Sequence, residues 1–493
     1  MGGVLYPAAV TGPIMRPMTQ IPPTLPLQAL FEAQRSASRA QIDVPLALRR
    51  ERLGRLHDLI ETHAPALCEA VQADFSVRSA QLTEVADLFV LRATIGQLRK
   101  QLPRWMKPQR VATPLYLLPA RAHIQRQPLG VVGVIGPWNY PLQLTFGPAA
   151  TALAAGNRVM LKPSELTPHT SALMATLVQQ AFSADEFCVV LGGADVAHDF
   201  ASLPFDHLFF TGSTGVGRKV AAAAAANLTP TTLELGGKSP CVVDASCDLS
   251  DAALKIAHGK LLNAGQTCVA PDYVLLPRGQ EAAFEQAYTV AVARLFPRIV
   301  GNPDYAAILS DRHHARLGAL LDEARGQGAR VVDVAPQGSA PGQTPHTRQM
   351  NPTLVFDAAP GSRLMDEEIF GPVLPVLPYD TLDQAMAFIN QRPRPLALYW
   401  FGSDTASRDR LLHGTVSGGV TVNDTLMHLA HEGLPFGGVG ESGWGAYHGE
   451  SGFLRFTQQK PVLVQSRWAM GQLFYPPYGP RFDRVMGLLK RWL

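Results

Sequence analysis

Residues 207–217, His-Leu-Phe-Phe-Thr-Gly-Ser-Thr-Gly-Val-Gly, join a short apolar run to a glycine-rich turn. The apolar run predicts a strand, and the alanine-rich segment 218–227 after the turn predicts a helix. Glycines between a strand and a helix N-terminus allow backbone N–H groups to meet a phosphate. Because Gly212, Gly215 and Gly217 do not have GxGxxG spacing, a tight turn that merely needs small residues remains the alternative.

The same alternation of strand and helix extends in both directions from this turn. Short apolar segments predict strands at 131–135, 158–162, 188–192, 207–210, 241–243, 272–276, 331–334 and 374–377. Helices are predicted between the first of them, at 141–155 and 167–182. Strands separated by helices of this length indicate parallel βαβ units and therefore an α/β fold. Ahead of this region, residues 27–105 predict helices and residues 112–127 predict a protruding hairpin.

Composition argues against several classes of protein. The chain has 493 residues, 46% hydrophobic and 17% charged, which predicts about two or three globular domains. A net charge of +3 without a basic stripe argues against a nucleic-acid partner, and five cysteines without CxxC or zinc spacing predict neither disulfides nor a metal site. The longest apolar run, 129–138, is too short to span a bilayer. Because the proline-rich first 26 residues also lack the pattern of a secretory signal, we expect a cytoplasmic protein without stable membrane insertion.

Cys268 is the candidate nucleophile. Gly265 and Gln266 precede it, and Ala270 and Pro271 follow it, so the sequence predicts a turn that presents the thiol to a substrate. The alternative is a buried cysteine that acts as a small hydrophobic residue, which is the commoner role of a lone free cysteine.

Polar side chains at the predicted strand ends complete a candidate site. Asn139 follows one strand, where its amide can donate to a developing oxyanion or close an Asx-turn between two prolines. Glu234 lies in an apolar strand, where burial raises the pKa of a carboxyl toward that of a general base, unless Lys238 pairs with it. Lys162 and Glu165 follow another strand, where they can contact a ribose or form an ordinary strand-to-helix loop.

Seven motifs resemble, in the same order along the chain, those of the aldehyde dehydrogenase superfamily. They are Pro-Trp-Asn at 137–139, Leu-Lys-Pro-Ser-Glu at 161–165, Phe-Thr-Gly-Ser at 210–213, Leu-Glu-Leu-Gly-Gly-Lys at 233–238, Gly-Gln-Thr-Cys at 265–268, Glu-Ile-Phe-Gly-Pro at 368–372 and Pro-Phe-Gly-Gly-Val-Gly-Glu-Ser-Gly at 435–443. The resemblance extends over residues 27–464, and the separation between Glu234 and Cys268 also matches the family. It implies an α/β architecture with a Rossmann-like NAD-binding domain, an α/β catalytic domain and a small bridging hairpin.

Further segments resemble one branch of that family, the class 3 aldehyde dehydrogenases and, among bacterial proteins, the coniferyl aldehyde dehydrogenases. They are Cys-Val-Ala-Pro-Asp-Tyr at 268–273, Pro-Leu-Ala-Leu-Tyr-Trp-Phe-Gly at 395–402, Val-Asn-Asp at 422–424 and Tyr-His-Gly at 447–449. Trp400 and Trp444 depart from this branch toward bulkier side chains, which leaves the shape of the substrate pocket open.

The resemblance implies a covalent mechanism with Cys268, Glu234 and Asn139 as the catalytic residues. Cys268, as a thiolate, adds to the aldehyde carbon, and the Asn139 amide and the backbone N–H of Cys268 stabilise the oxyanion of the thiohemiacetal. A hydride then passes to the nicotinamide and leaves a thioester. Glu234 activates the water that hydrolyses this thioester to the carboxylate.

The resemblance also implies a set of cofactor-binding positions: Trp138, Lys162, Ser164, Glu165, Gly212, Ser213, Gly217, Leu235, Glu368 and Phe370. Lys162 and Glu165 correspond to contacts with the adenosine ribose, and the turn at 212–217 corresponds to the pyrophosphate site. Glu368 and Phe370 correspond to contacts with the nicotinamide ribose and ring. Because the carboxylate of Glu165 repels a 2′-phosphate, NAD is the implied cofactor, although class 3 relatives often accept NADP as well.

The implied division of the chain has five parts. They are a flexible N-terminal tail at 1–26, an NAD-binding domain at 27–111 and 128–236, a catalytic domain at 237–450, a bridging or oligomerisation segment at 112–127 and 451–466, and a C-terminal tail at 467–493. The bridging segment implies a homodimer, and the sequence leaves a tetramer open. Within the tail, residues 482–493 predict a basic amphipathic helix that docks on the surface or contacts a membrane or partner.

The implied substrate is a small-molecule aldehyde. Five aromatic side chains expected near the pocket favour coniferaldehyde or a related aromatic aldehyde: Trp138, Tyr140, Tyr273, Trp400 and Trp444. The same side chains suit a medium or long-chain aliphatic aldehyde, which is the alternative. Glu234 argues against acyl transfer to coenzyme A, and intact Cys268 and Asn139 argue against a binding protein that has lost catalysis. Ester hydrolysis by the same cysteine is expected as a side activity.

Overall fold

A computed structural model describes residues 26–336 and 348–491, so that all but the last residue of the tail predicted at 1–26 lies outside the described residues. In these ranges the strands are β1 Gln109–Val111, β2 Arg121–Pro128, β3 Val131–Ile135, β4 Arg158–Lys162, β5 Phe187–Val189, β6 His207–Thr211, β7 Thr231–Glu234, β8 Pro240–Val243, β9 Tyr273–Pro277, β10 Arg330–Asp333, β11 Thr353–Phe356, β12 Val373–Tyr379, β13 Ala397–Phe401, β14 Gly419–Val422, β15 Gly443–Trp444 and β16 Thr457–Val464. The α-helices are α1 Leu27–Ala40, α2 Leu46–Phe75, α3 Ala80–Thr83, α4 Phe89–Trp105, α5 Gln143–Ala154, α6 Pro168–Ala181, α7 Ala194–Ala201, α8 Thr214–Ala225, α9 Leu249–Leu261, α10 Glu281–Leu295, α11 Asp311–Gly326, α12 Arg363–Asp366, α13 Leu382–Asn390, α14 Thr405–Gly414, α15 Met427–Ala430, α16 Gly449–Arg455 and α17 Pro480–Leu489.

A six-stranded sheet has the order β15-β7-β6-β3-β4-β5 and is parallel except for β15, which is antiparallel to β7. Every residue of β3, β4 and β6 is buried. Side chains alternate between two core clusters, since Val132 and Val134 of β3 pack in one and Val131 and Ile135 in the other. This burial on both faces explains why the inner positions of these strands are apolar without interruption rather than alternating with polar ones.

A seven-stranded sheet has the order β10-β11-β12-β9-β8-β13-β14 and is parallel except for the edge strand β10. Both large sheets therefore have the parallel pairing that the alternation of strands and helices predicts, and the α/β fold is confirmed. Each strand predicted in the sequence overlaps an observed one.

A three-stranded antiparallel sheet, β1-β2-β16, contains the segment predicted as a protruding hairpin. Strand β16 pairs with β2 along its whole length, from Thr457 opposite Pro128 to Val464 opposite Arg121. Strand β1 precedes the range 112–127, and β15 pairs with β7 although it lies in the range predicted for the catalytic domain.

Helix α8 begins at Thr214, four positions before the predicted start at 218. The hydroxyl of Ser213 accepts a hydrogen bond from the N–H of Val216 (3.5 Å) and caps the helix. Gly215 and Gly217 therefore lie within the first turn of the helix, and Gly212 precedes it. Glycine is a poor helix former, and this is why the sequence pattern places the start too late.

The C-terminal helix predicted at 482–493 is observed as α17, which has no buried side chain. The last two residues of the predicted helix lie outside the described residues. Within the described ranges, no helix is long and apolar enough to cross a membrane.

Candidate active site

A cavity of about 1370 Å³ lies at the C-terminal ends of β3, β4, β6 and β7, which is where ligands bind in open parallel sheets. Of the predicted site residues, those that line it are Trp138, Asn139, Lys162, Ser164, Glu165, Gly212, Ser213, Glu234, Leu235, Cys268, Glu368 and Phe370. Gly217 does not line the cavity. It packs in the first turn of α8, where an added Cβ would lie 2.6 Å from the side chain of Leu235.

The turn before Cys268 has a backbone conformation that few residues adopt. Asn263, Ala264 and Gly265 have φ angles of 52°, 53° and 79°, all in the left-handed region. A Cβ on Gly265 would also lie 2.3 Å from the carbonyl oxygen of Gly371, so only glycine fits there. The predicted turn at Cys268 is thus a tightly packed one, and its thiol faces the cavity.

The side chain of Gln266 stabilises this turn from within the core. Its Nε2 donates to the carbonyl oxygens of Asn263 (2.9 Å) and Ala307 (3.0 Å), and its Oε1 accepts from the N–H of Leu309 (2.9 Å). Because Gln266 is fully buried and uses its amide at both ends, the position of the backbone just before Cys268 is strongly restrained.

Asn139 connects the loop after β3 to the cysteine turn. Its Nδ2 donates to the carbonyl oxygen of Gln266 at 3.1 Å, and Asn139 is buried. The side-chain amide is therefore bonded across to the segment that carries Cys268 and does not close an Asx-turn of its own. One of the two amide hydrogens remains for a ligand in the cavity.

Glu234 is the last residue of β7 and is buried, and neither of its carboxylate oxygens has a hydrogen-bond partner in residues 26–336 and 348–491. The alternative partner, Lys238, donates instead to Asp272 (2.5 Å) and to the carbonyl oxygens of Leu364 (2.8 Å) and Glu367 (2.9 Å). Burial raises the pKa of the Glu234 carboxyl well above its ordinary value. An unpaired buried carboxyl of this kind is costly for folding and is typical of an acid or base at a reacting centre.

Burial also raises the pKa of the Cys268 thiol to about 12, and the carboxylates of Glu368 and Glu234 add to this effect. The thiol is consequently protonated at neutral pH and must lose its proton as it reacts. Glu234 is a nearby group able to accept a proton once it is ionised.

The loop that carries Glu368 is bound to Asp272, the carboxylate that also accepts from Lys238. Asp272 Oδ1 accepts from the N–H of Ile369 at 3.1 Å, and burial together with Asp272 raises the pKa of Glu368 to about 8. Gly236 makes room for this side chain, because a Cβ there would lie 1.9 Å from Glu368 Oε2. Among the residues that the structure describes, the buried Oε1 of Glu368 has no hydrogen-bond partner, which leaves an acceptor for a ligand hydroxyl.

The remaining part of the cavity has the features of a dinucleotide site. Lys162 Nζ donates to Glu165 Oε2 at 2.8 Å, and although burial raises the pKa of Glu165, the bond to Lys162 offsets it and the pKa is lowered overall. Residues 213–216 at the N-terminus of α8 line the cavity, and helix N-termini favour phosphate. Trp138 stacks on His313, with ring centroids 5.0 Å apart. The carboxylate of Glu165 can accept from ribose hydroxyls, the N-terminus of α8 can bind phosphate, and Glu368 Oε1 is free to accept from a second ribose. Together these groups fit a nicotinamide dinucleotide.

Of the five aromatic residues expected near the pocket, only Trp138 lines the described cavity. Tyr140, Tyr273 and Trp400 are buried in the protein core instead. Trp444 is 47% exposed, and its indole N–H donates to Thr231 on the neighbouring strand. These four side chains therefore make no contact with the described cavity that would favour an aromatic substrate.

Sequence patterns also missed residues that surround the site. Arg312, His313, Arg316 and Arg394 line the cavity. Their positions in helix α11 and in a loop give no periodic or motif signal, and they reach the cavity only through the tertiary fold.

The chain is similar to known proteins over most of its length. The pattern of the Aldehyde dehydrogenase family matches residues 26–462. A protein of Pseudomonas aeruginosa named "Probable coniferyl aldehyde dehydrogenase" is 50% identical over 460 residues, which cover 93% of this chain and 95% of that protein. The coniferyl aldehyde dehydrogenase of a Pseudomonas species is 43% identical over 465 residues, covering 94% of this chain and 96% of that one.

The fold has a close counterpart among solved structures. A structure described as the substrate-bound state of Staphylococcus aureus AldH superimposes with a TM-score of 0.88 at 37% identity, covering 94% of this chain and all of that one. The chain therefore belongs to the aldehyde dehydrogenase family and is an oxidoreductase that acts on an aldehyde with a nicotinamide cofactor.

Proposed function

We propose that this enzyme oxidises coniferaldehyde, or a related aromatic aldehyde, to the carboxylic acid through a thioester on Cys268. The observation that carries the chemistry is the unpaired, buried carboxyl of Glu234 on the same cavity as Cys268 and Asn139. The substrate rests on the relatives, since two of them carry the name coniferyl aldehyde dehydrogenase.

The first step is attack of the Cys268 sulfur on the aldehyde carbon. The S–C bond forms, the C=O bond becomes a C–O⁻, and the thiol proton passes to the ionised Glu234 and from there to solvent, which gives the thiohemiacetal anion. We assign the free amide hydrogen of Asn139 and the backbone N–H of Cys268 to this oxyanion, because fixed donors stabilise a developing charge without reorganisation.

Glu368 and Phe370 would hold the nicotinamide portion of the cofactor, and Lys162 and Glu165 would hold its adenosine ribose. When bound, the nicotinamide supplies the acceptor for the hydride that leaves the thiohemiacetal carbon. After that oxidation the acyl group remains on Cys268. Glu234 then accepts a proton from water, which attacks the thioester carbonyl and releases the carboxylate and the free thiol.

Initial rates with an aldehyde panel test the substrate. Purified enzyme with NAD is given coniferaldehyde, cinnamaldehyde, benzaldehyde, hexanal and decanal, and formation of NADH is followed by fluorescence. We expect kcat/KM for the two phenylpropenals to exceed that for decanal at least about tenfold, which is about 1.4 kcal/mol of transition-state stabilisation. A preference for decanal would identify a fatty-aldehyde dehydrogenase and contradict the aromatic assignment.

NAD is the cofactor that we propose over NADP, and Glu165→Gln tests the reason. The carboxylate of Glu165 lines the cavity, and a 2′-phosphate on the ribose beside it would be a second negative charge. Removing that charge while keeping Lys162 is expected to raise the ratio of kcat/KM for NADP to that for NAD about tenfold. The aldehyde KM serves as the control, since it should not change. An unaltered cofactor ratio would exclude Glu165 as the discriminating group.

We further propose that the six-stranded sheet belongs to the NAD-binding domain, the seven-stranded sheet to the catalytic domain and the three-stranded sheet to the dimer interface. The exposed strands β1 and β16 at the edges of the small sheet support pairing of two copies there. Sedimentation velocity on the full chain checks the dimer, and a monomer would contradict it.

Five free cysteines support a reducing, cytoplasmic location for this protein.

A further inference from the structure

Behind the active-site loops, a buried ion pair joins three segments of the chain. Arg78 Nη2 and Asp87 Oδ2 are 2.5 Å apart, and both side chains are completely shielded from solvent. Asp87 lies in the π-helical turn Glu84–Leu88, and its other oxygen accepts from the N–H groups of Leu142 (3.2 Å) and Gln143 (3.0 Å) at the start of α5. The carboxylate therefore holds the guanidinium against the segment that follows Asn139.

The second guanidinium nitrogen of Arg78 contacts the active-site loops directly. Its Nη1 donates to the carbonyl oxygen of Asn139 (2.6 Å) and to Asn263 Oδ1 (3.3 Å). Asn263 Nδ2 donates in turn to the same carbonyl (3.0 Å) and to that of Gln266 (3.4 Å), which is also the acceptor of the Asn139 amide (3.1 Å). These bonds form a closed network that ends two residues before Cys268.

The network restrains Asn139, whose side-chain amide the proposed chemistry needs at a fixed position. The carbonyl of Asn139 is held by two donors, and its side-chain amide is held by the cysteine turn. An oxyanion donor works only at a fixed distance from the developing charge, and a displacement of about 1 Å can cost on the order of 10²-fold in rate. A buried ion pair gives little net stability, so apolar residues would serve a purely structural role at least as well.

We propose that Arg78, held by Asp87, is a positioning residue that fixes Asn139 relative to Cys268. Arg78 does not line the cavity and touches neither reactant. It acts through Asn139, because its guanidinium donates to the carbonyl of that residue and also to Asn263, which donates to the same carbonyl. This inference rests on the proposed function, in which the Asn139 amide binds the oxyanion.

A double-mutant cycle tests the proposal with Arg78→Lys, Asn139→Ala and the two changes combined. Lysine keeps the charge beside Asp87 but lacks the second arm of the guanidinium, so we expect kcat to fall at least about tenfold while KM for NAD stays within about twofold. Asn139→Ala is expected to lower kcat by about 10²–10³. Since Arg78 acts through Asn139, the combined variant should be no slower than Asn139→Ala alone.

Multiplicative losses in the combined variant, or a wild-type kcat in Arg78→Lys, would overturn the positioning role. If Asn139→Ala itself keeps the wild-type kcat, the proposed oxyanion donor is wrong, which is a different failure. Should Arg78→Lys not fold, Asp87→Asn takes its place, because it keeps the shape of the side chain and weakens only its hold on the guanidinium. The same comparison with Asn139→Ala then decides the question.

Arg52→Lys is the matched control for loss of a buried arginine. The side chain of Arg52 is 2% exposed and pairs with Glu186 at 2.6 Å, and it does not line the cavity. We expect this variant to lower Tm but to keep the wild-type kcat. If Arg52→Lys reduced kcat as much as Arg78→Lys, the effect of Arg78 would be one of general stability and the proposal would be wrong.

Discussion

Replacing Cys268 with alanine is expected to lower kcat with coniferaldehyde and NAD by at least about 10⁴-fold. The reason is that alanine offers no sulfur to form the thiohemiacetal, and the amide of Asn139 and the carboxyl of Glu234 can only surround an unreacted aldehyde. Initial rates of NADH fluorescence measure the loss. Undiminished turnover would contradict a covalent mechanism.

Cys247→Ala is the control for that experiment. Its thiol is partly buried, and burial and nearby aspartates raise its pKa to about 11, but it does not line the cavity. We expect kcat within about twofold of the wild type, because substitutions away from functional features have small effects. A large loss in this variant would mean that cysteine removal as such damages the protein.

Replacing Glu234 with glutamine is the second change with a large expected effect. The amide has nearly the shape of the carboxyl but cannot accept a proton from water, so the thioester should persist on Cys268. We expect one equivalent of NADH per subunit in a rapid burst, followed by a steady-state rate lower by about 10²–10⁴-fold. Stopped-flow fluorescence separates the two phases. Steady turnover at the wild-type rate would exclude Glu234 as the base.

An external nucleophile and the pH dependence of the rate give two further tests of Glu234 as the base in thioester hydrolysis. Hydroxylamine attacks thioesters directly and should restore turnover of Glu234→Gln while changing the wild type little. Burial raises the pKa of Glu234, and a carboxyl is protonated below its pKa and then cannot act as a base. The wild-type steady-state rate should accordingly fall on acidification through that raised pKa. In Glu234→Gln, the hydroxylamine-supported rate should lack this dependence.

Much of the fold could be predicted because its strands are buried on both faces. Residues 131–135 and the inner positions of 158–162 carry no polar side chain, and both strands are observed with those bounds. The pairing of β15 with β7 could not be predicted, since a strand of only two residues has no periodicity. The first turn of helix α8 could not be predicted either, because its glycines are poor helix formers.

The candidate site could be predicted where motifs follow strands, because the ends of parallel strands meet at one edge of the sheet. Arg78 gave no such signal. Asp87 lies nine positions away in a polar, helical stretch, and the contacts with Asn139 and Asn263 span 61 and 185 positions. Only the packed structure brings these groups together. The aromatic side chains did not predict the cavity lining for a related reason. Nothing in the sequence distinguishes a tyrosine in the core from one that faces a cavity.

Mass spectrometry of the trapped acyl-enzyme is the most direct test of the thioester on Cys268. Glu234→Gln is mixed with coniferaldehyde and NAD, quenched in acid during the burst, digested and mapped. We expect the acyl mass on the peptide that contains Cys268, and none when NAD is omitted or when Cys268→Ala is added to the variant. An unmodified Cys268 after the burst of NADH, or an acyl group on another residue, would contradict the covalent mechanism.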